Sequence, residues 1–139
     1  MQQFKIEEYE TQFDKKFPEF ESLSKMEGDK VIRHLRNNIP GASERGNIFA
    51  TIEDNLEYDD YDEEVIYDIA YLFSLYDFAD AEKMYIIWNE DTVDAMNKFP
   101  FINAWTAIWK PEFDERIILY TPATGKVLLI TQYGAVYSN

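Results

Sequence analysis

Apolar positions recur at spacings of three to five over the first twenty residues: Phe4, Tyr9, Phe13, Phe17 and Phe20, with charged residues between them. That spacing predicts a helix. Pro18 breaks or restarts it, because proline has no amide hydrogen and crowds the preceding turn. Glu21 to Asn38 reads as a second helix, with Ser22 or Ser24 suited to the cap and Val31, Ile32, Leu35 and Ile39 forming an apolar stripe. Gly28 weakens its middle. Lys30, Arg33 and Arg36 fall three residues apart and share a side. Pro40 to Asn47 carries turn residues and reads as a loop, and Ile48 to Ile52 as a short strand or a lead-in.

The pattern changes over Glu53 to Glu82. Glu53-Asp54-Asn55-Leu56-Glu57-Tyr58-Asp59-Asp60-Tyr61-Asp62-Glu63-Glu64 is polar and acidic, and Val65 to Ala79 is apolar except at Asp68, Ser74 and Asp77. The two runs read as one central helix beginning near Asp60. Asp60 with Glu63 three residues on has the form of a capping box, and acids in a first turn suit the positive end of the helix dipole. Val65, Ile69, Leu72, Phe73 and Tyr76 make one face and Tyr67, Tyr71, Ser74 and Phe78 another, so the helix is expected to be packed on most sides.

Beyond Lys83 the residues turn to β-formers. Met84 to Trp88 predicts a buried strand, and Asp91 to Lys98 a short helix capped by Asn89 or Asp91. Phe101 to Trp109 fits either state, and the β-formers that follow favour a strand. Arg116–Tyr120 and Lys126–Thr131 predict strands joined by the turn residues Thr121 to Gly125, and Ala135–Tyr137 a last short strand after Gly134. Helices first and a hairpin sheet last give an α+β class. The expected architecture is a helical N-terminal two-thirds with a central buried helix, packed on a C-terminal, mainly antiparallel β-sheet, with 1–139 as a single α+β domain.

Charge sharpens this picture through its placement. The net charge is −14. Residues 1–45 balance to −1 and residues 83–139 to −1, whereas residues 46–82 hold twelve acids and no Lys or Arg. A localised block implies a local cause. It argues against nucleic acid or an anionic membrane as a direct ligand, since both need a positive face. No apolar run approaches the ~18 residues of a membrane span. Met1 to Glu8 is mixed and polar, unlike a leader peptide. A cytoplasmic location is the expectation, and the lack of cysteine fits a reducing compartment.

Catalytic motifs are absent. The one histidine, His34, lies among arginines with no Gly-x-Ser-x-Gly elbow to serve, and reads as a helix-surface residue. One histidine and no cysteine cannot supply a usual zinc set. The acidic run lacks the alternation and central glycine of a calcium loop. No phosphate-cradling glycine motif occurs. The expectation is therefore no enzyme activity, no metal and no cofactor.

The acidic block itself has a bland reading, a solvated helix start, and an internal one, an ion network with Lys30, Arg33 and Arg36. Three bases cannot neutralise twelve acids, however, and tyrosines among the carboxylates suit an interface: charge steers a basic partner and rings bury against arginine stems. The expected partner surface is Glu53, Asp54, Glu57, Tyr58, Asp59, Asp60, Tyr61, Asp62, Glu63 and Glu64. The small, acidic, cysteine-free, aromatic-rich profile is similar to that of bacterial toxin-immunity proteins. It implies a protein that occludes a basic partner, either an immunity protein against a toxin nuclease or a nucleic-acid-mimicking antagonist. Two alternatives are a small-ligand binder or enzyme with a pocket walled by Trp88, Trp105 and Trp109, and a homo-oligomer, such as a homodimer in which the block meets the bases of a second copy.

Overall fold

A computed structural model describes residues 1–42, 46–78 and 82–139. Three helices lead the chain: α1 (Gln3–Phe13), α2 (Lys25–Arg36) and α3 (Ile48–Asn55), with a two-residue strand β1 (Glu21–Ser22) before α2. Strand β2 (Glu57–Asp60) follows, then the short helices α4 (Glu63–Tyr67) and α5 (Ile69–Leu75). The hairpin β3 (Lys83–Asn89) and β4 (Thr92–Asn97) leads into helix α6 (Lys98–Ile108), and β5 (Ile117–Thr121), β6 (Lys126–Ile130) and β7 (Ala135–Ser138) close the chain. All seven strands form one antiparallel sheet in the order β1-β4-β3-β5-β6-β7-β2. The class is α+β, with a helical N-terminal part and C-terminal strands.

Alternation along the strands sends side chains to both faces. Met84, Ile86, Ile117, Leu119, Leu128, Ile130 and Val136 pack with residues of α1, α4, α5 and α6. Ile87, Val93, Ile118, Tyr120, Val127 and Leu129 pack with residues of α2 and α3. The sheet is thus covered on both faces, and the middle strand β5 is buried along its whole length.

The second helix forms over Lys25–Arg36, a later start than the expected Glu21: Glu21 and Ser22 belong to β1, and of the two candidate caps Ser24 is the one used. Ser24 Oγ accepts from the Glu27 amide while Glu27 returns a bond to the Ser24 amide, a complete capping box. Gly28 serves packing here: a Cβ at this position would lie 3.2 Å from Val93 Cγ2, so the missing side chain lets α2 sit close on β4.

Four expectations need correction. The central helix over Asp60 to Ala79 does not exist as one unit. Its first residue belongs to β2, Asp62 and not Asp60 precedes α4, and Asp68, at φ −85° and ψ 68°, leaves the helical region between α4 and α5. Asp68 then caps α5 by accepting from the Tyr71 amide at 3.3 Å. The end of that expected helix, at Ala79, and the acid Asp80 lie outside the described residues, as do residues 43–45 of the expected loop. Of the expected helix Asp91 to Lys98, residues 92–97 are strand β4 and Lys98 begins α6: Asn89 Oδ1 accepts from the Asp91 amide at 2.8 Å, so the apparent cap closes the β3–β4 hairpin. Residues 101–108 lie in a helix rather than a strand, because Phe101, Ala104, Trp105 and Ile108 recur at helical spacing and are buried together. This α6, and not the acidic stretch, is the buried helix. Residues 48–52 likewise belong to a helix, α3, capped by Asn47 through the Phe49 amide.

Candidate functional site

The acidic residues are held by three consecutive elements. Glu53 and Asp54 stand on α3, which buries Ile48, Phe49, Thr51 and Ile52. Glu57, Tyr58, Asp59 and Asp60 make up β2, all four exposed. Asp62 caps α4 in position though without a side-chain bond, and Glu63 and Glu64 form its first turn. The support is therefore a sheet edge flanked by two helices, not the start of one helix.

β2 is fixed by four consecutive pairs with β7: Glu57 with Ser138, Tyr58 with Tyr137, Asp59 with Val136 and Asp60 with Ala135. Val136 faces the α6 side, so Glu57 and Asp59 point to that side and Tyr58 and Asp60 to the α3 side. The pairing continues past the strand, where the Tyr61 amide donates to Gly134 O at 2.9 Å. Gly134 sits at φ 88°, and a Cβ there would come within 2.3 Å of Tyr61 O. Glycine is thus required where the acidic segment crosses the turn before β7.

The tyrosines divide. Tyr58 is 55% exposed and packs its ring 5.1 Å from that of Tyr137. Tyr61 is half-buried against the core, and its hydroxyl meets that of Tyr76 at 2.7 Å. It is therefore a supporting residue more than an exposed anchor. Tyr76 in turn donates to Asp59 Oδ2 at 3.3 Å. Burial first, then the Tyr61 hydroxyl and the Asp59 carboxylate, hold the Tyr76 phenol above its usual range. Burial, then Glu53, raises that of Tyr137. Both phenols keep their protons at neutral pH and add no charge.

Among the described residues the block makes one ion pair, between Glu53 and Arg116 at 2.7 Å, with the guanidinium also 4.4 Å over the Phe49 ring. Asp54, Glu57, Asp59, Asp60, Asp62, Glu63 and Glu64 have no ion pair there. Among the described residues Arg36 turns to Gly46 O, Thr51 and Glu90. Among the described residues no ion pair links Lys30 or Arg33 to the block.

Beside α4 lies a cleft of about 370 Å³ lined by Tyr61, Glu63, Trp109, Glu112, Gln132 and Tyr133 among others. Tyr133 is 84% exposed. Tyr67, whose phenol is raised by burial and then by Glu63 and Glu112, packs edge-on to Trp109 at 4.9 Å. Glu112, Tyr133, Tyr76 and Tyr137 escape a reading by sequence position. Tyr133 and Tyr137 join the site because β7 brings the chain's end alongside β2, while Tyr76 reaches it from the end of α5 and Glu112 from the turn after α6.

The other candidate chemistry takes structural roles. His34 Nδ1 shares a hydrogen bond with the Tyr120 hydroxyl. Trp105 on α6 and Trp109 just past its end are buried, their rings 5.8 Å apart and parallel, and Trp105 Nε1 donates to Ile66 O at 2.8 Å. Trp88 donates to Asp94 at 2.8 Å from β3. Trp109 lines the cleft beside α4, and Trp88 a different one beside Met1 and Glu115. Among the described residues no group of three or more His, Cys, Asp or Glu is placed to hold a metal ion, and no helix is long and apolar enough to cross a membrane.

No protein-family model, curated protein or solved structure matches this chain.

Proposed function

We propose that this protein binds a basic partner and inhibits it by occlusion, as an immunity protein neutralising a toxin nuclease or as a nucleic-acid-mimicking antagonist. The observation that carries this reading is the row of carboxylates without ion pairs on a rigid edge. Seven acids from Asp54 to Glu64 stand exposed on elements anchored by the core. Such charges keep their field for an incoming partner. Their density supports mimicry. Glu57, Asp59 and Asp60 fall within four residues, a span of about 10 Å at ~3.4 Å per strand residue. Each strand of duplex DNA places one phosphate per about 3.4 Å of axis. A surface that presents negative charge at similar spacing competes for lysines and arginines arranged to hold phosphates. Tyr58 supplies a ring at the same edge.

The test is inhibition of candidate toxin nucleases co-produced with this chain, read as cell survival and as nuclease activity of the purified pair. It is repeated with Glu57→Lys combined with Asp60→Lys, two exposed residues that make no bond on which the strand depends. The double reversal is expected to slow association at least about tenfold, with wild-type binding weakening from about 0.05 M to about 0.5 M salt. Inhibition that survives the reversal at low salt would remove the acidic edge as the interface. A salt-sensitive dimer lost on Arg33→Glu would instead assign the edge to self-assembly.

A further inference from the structure

β2 is the last strand of the sheet, and its backbone pairs on one side only. In a strand, alternate amide and carbonyl groups point to opposite sides, so half of those of Glu57–Asp60 are turned away from β7. Among the described residues no backbone or side-chain group bonds to them, and all four residues are exposed. A sheet edge of this kind is a template for another strand unless it is blunted by proline, a bulge, shortness, a cover or charge. β2 contains no proline, and its register with β7 runs through four pairs without a shift. At four residues the strand is short, and it carries three carboxylates; of these two devices it is charge that discriminates between incoming strands.

The alternation places Glu57 and Asp59 on one face of the edge and Tyr58 and Asp60 on the other. A strand laid alongside meets carboxylates on both faces. Like charges directly across a strand pair are destabilising and opposite charges stabilising. A second copy of β2 would bring six carboxylates together along four residues, so the edge is closed to its own kind. A segment with Lys or Arg on both faces meets complementary charge at each acid and a ring at Tyr58. We infer that β2 accepts an extended, Lys/Arg-rich segment of the partner as an eighth strand of the sheet. Main-chain hydrogen bonds would supply the docking geometry and alternate side chains the selectivity, as in recognition by strand addition. This inference rests on the acidic edge being the partner surface, and adds how the edge is used.

The probe is a synthetic eight-residue peptide of the repeat Lys-Lys-Thr-Thr, which carries Lys on both faces when extended, titrated into the isotope-labelled full chain. It is compared with a peptide of identical charge whose backbone amides are methylated at alternate positions along one edge, and with a second carrying the methyl groups on the other set. Amide exchange and resonance shifts are read at residues 57–60. Strand addition predicts that the unmodified peptide slows exchange of the outward-facing β2 amides at least about tenfold, and that one or both methylated peptides lose this protection. Equal shifts and no protection with all three peptides would overturn strand addition while leaving the acidic surface intact. No shift of any residue from Glu53 to Glu64 with any of them would count against the surface itself. Protection spread evenly over the sheet, rather than confined to β2, would also overturn the inference.

Discussion

At the β1–β4 edge Glu21 of β1 is exposed, whereas Asp94 of β4 is fully buried and saturated. Trp88 Nε1 and Ser22 Oγ donate to it at 2.8 Å each, and the amino group of Met1 pairs with it. Nearby, buried Lys5 meets Glu115 at 2.5 Å and lies 4.6 Å above the Trp88 ring. Lys110 reaches Glu8 at 2.7 Å. At the β2 edge, carboxylates outnumber every partner and face outward. The difference shows that the excess of acid is not spread evenly over the fold. Cations are spent joining α1 to the β5–α6 region, and the opposite edge is left with Arg116 alone. A carboxylate buried without donors costs several kcal/mol, so those at the first edge are tied down. Those at the second remain hydrated, and their stabilising role in the monomer is small.

This contrast can be broken first at its buried end. Asp94→Ala strands the indole N–H of Trp88 and the Ser22 hydroxyl, and should cost about 3 kcal/mol in urea unfolding. A loss below about 1 kcal/mol would mean that water replaces the carboxylate and that the two edges differ less than their geometry implies. Next, Gly134→Ala places a methyl against Tyr61 O at positive φ and should cost about 2 kcal/mol. Amide exchange should quicken at β2 before it does at β5. The smallest effect belongs to Glu57→Lys with Asp60→Lys. Unfolding free energy should move by no more than about 0.5 kcal/mol, upward at low ionic strength as self-repulsion is relieved. A loss above about 1 kcal/mol would make the edge charges structural.

Sequence patterns report local physics, and the elements they captured here are those that local physics decides. The Ser24 box, the continuous apolar β-forming runs of β3, β5 and β6, and the Gly125 turn are readable because each is settled within a few residues. β2 is not. Glu-Tyr-Asp-Asp has little strand propensity, and it is extended because Ala135–Ser138, far along the chain, leaves an open ladder for it. The same distance hides the short helices. The apolar run from Val65 was read as a continuous stripe, yet Asp68 ends one helix and caps the next. Asn89 and Asp91 have the right chemistry for a helix cap and equally for a hairpin turn, and only the pairing of β3 with β4 decides between them. The acids of the site were legible as a cluster, since composition alone places them. Their alternation across two faces became visible only with the strand.

Arg116 gives the acidic surface a border. It lies just before β5, with its guanidinium over the Phe49 ring and bonded to Glu53. Negative potential therefore fades toward α3 and is densest from β2 to the first turn of α4. A field with one steep side and one open side has a heading as well as a sign. A rod of evenly spaced cations could slide along a uniform acidic patch, but here it meets a like charge at one end. For a partner of the kind proposed, Arg116 would act as a stop and give the acidic face a preferred alignment.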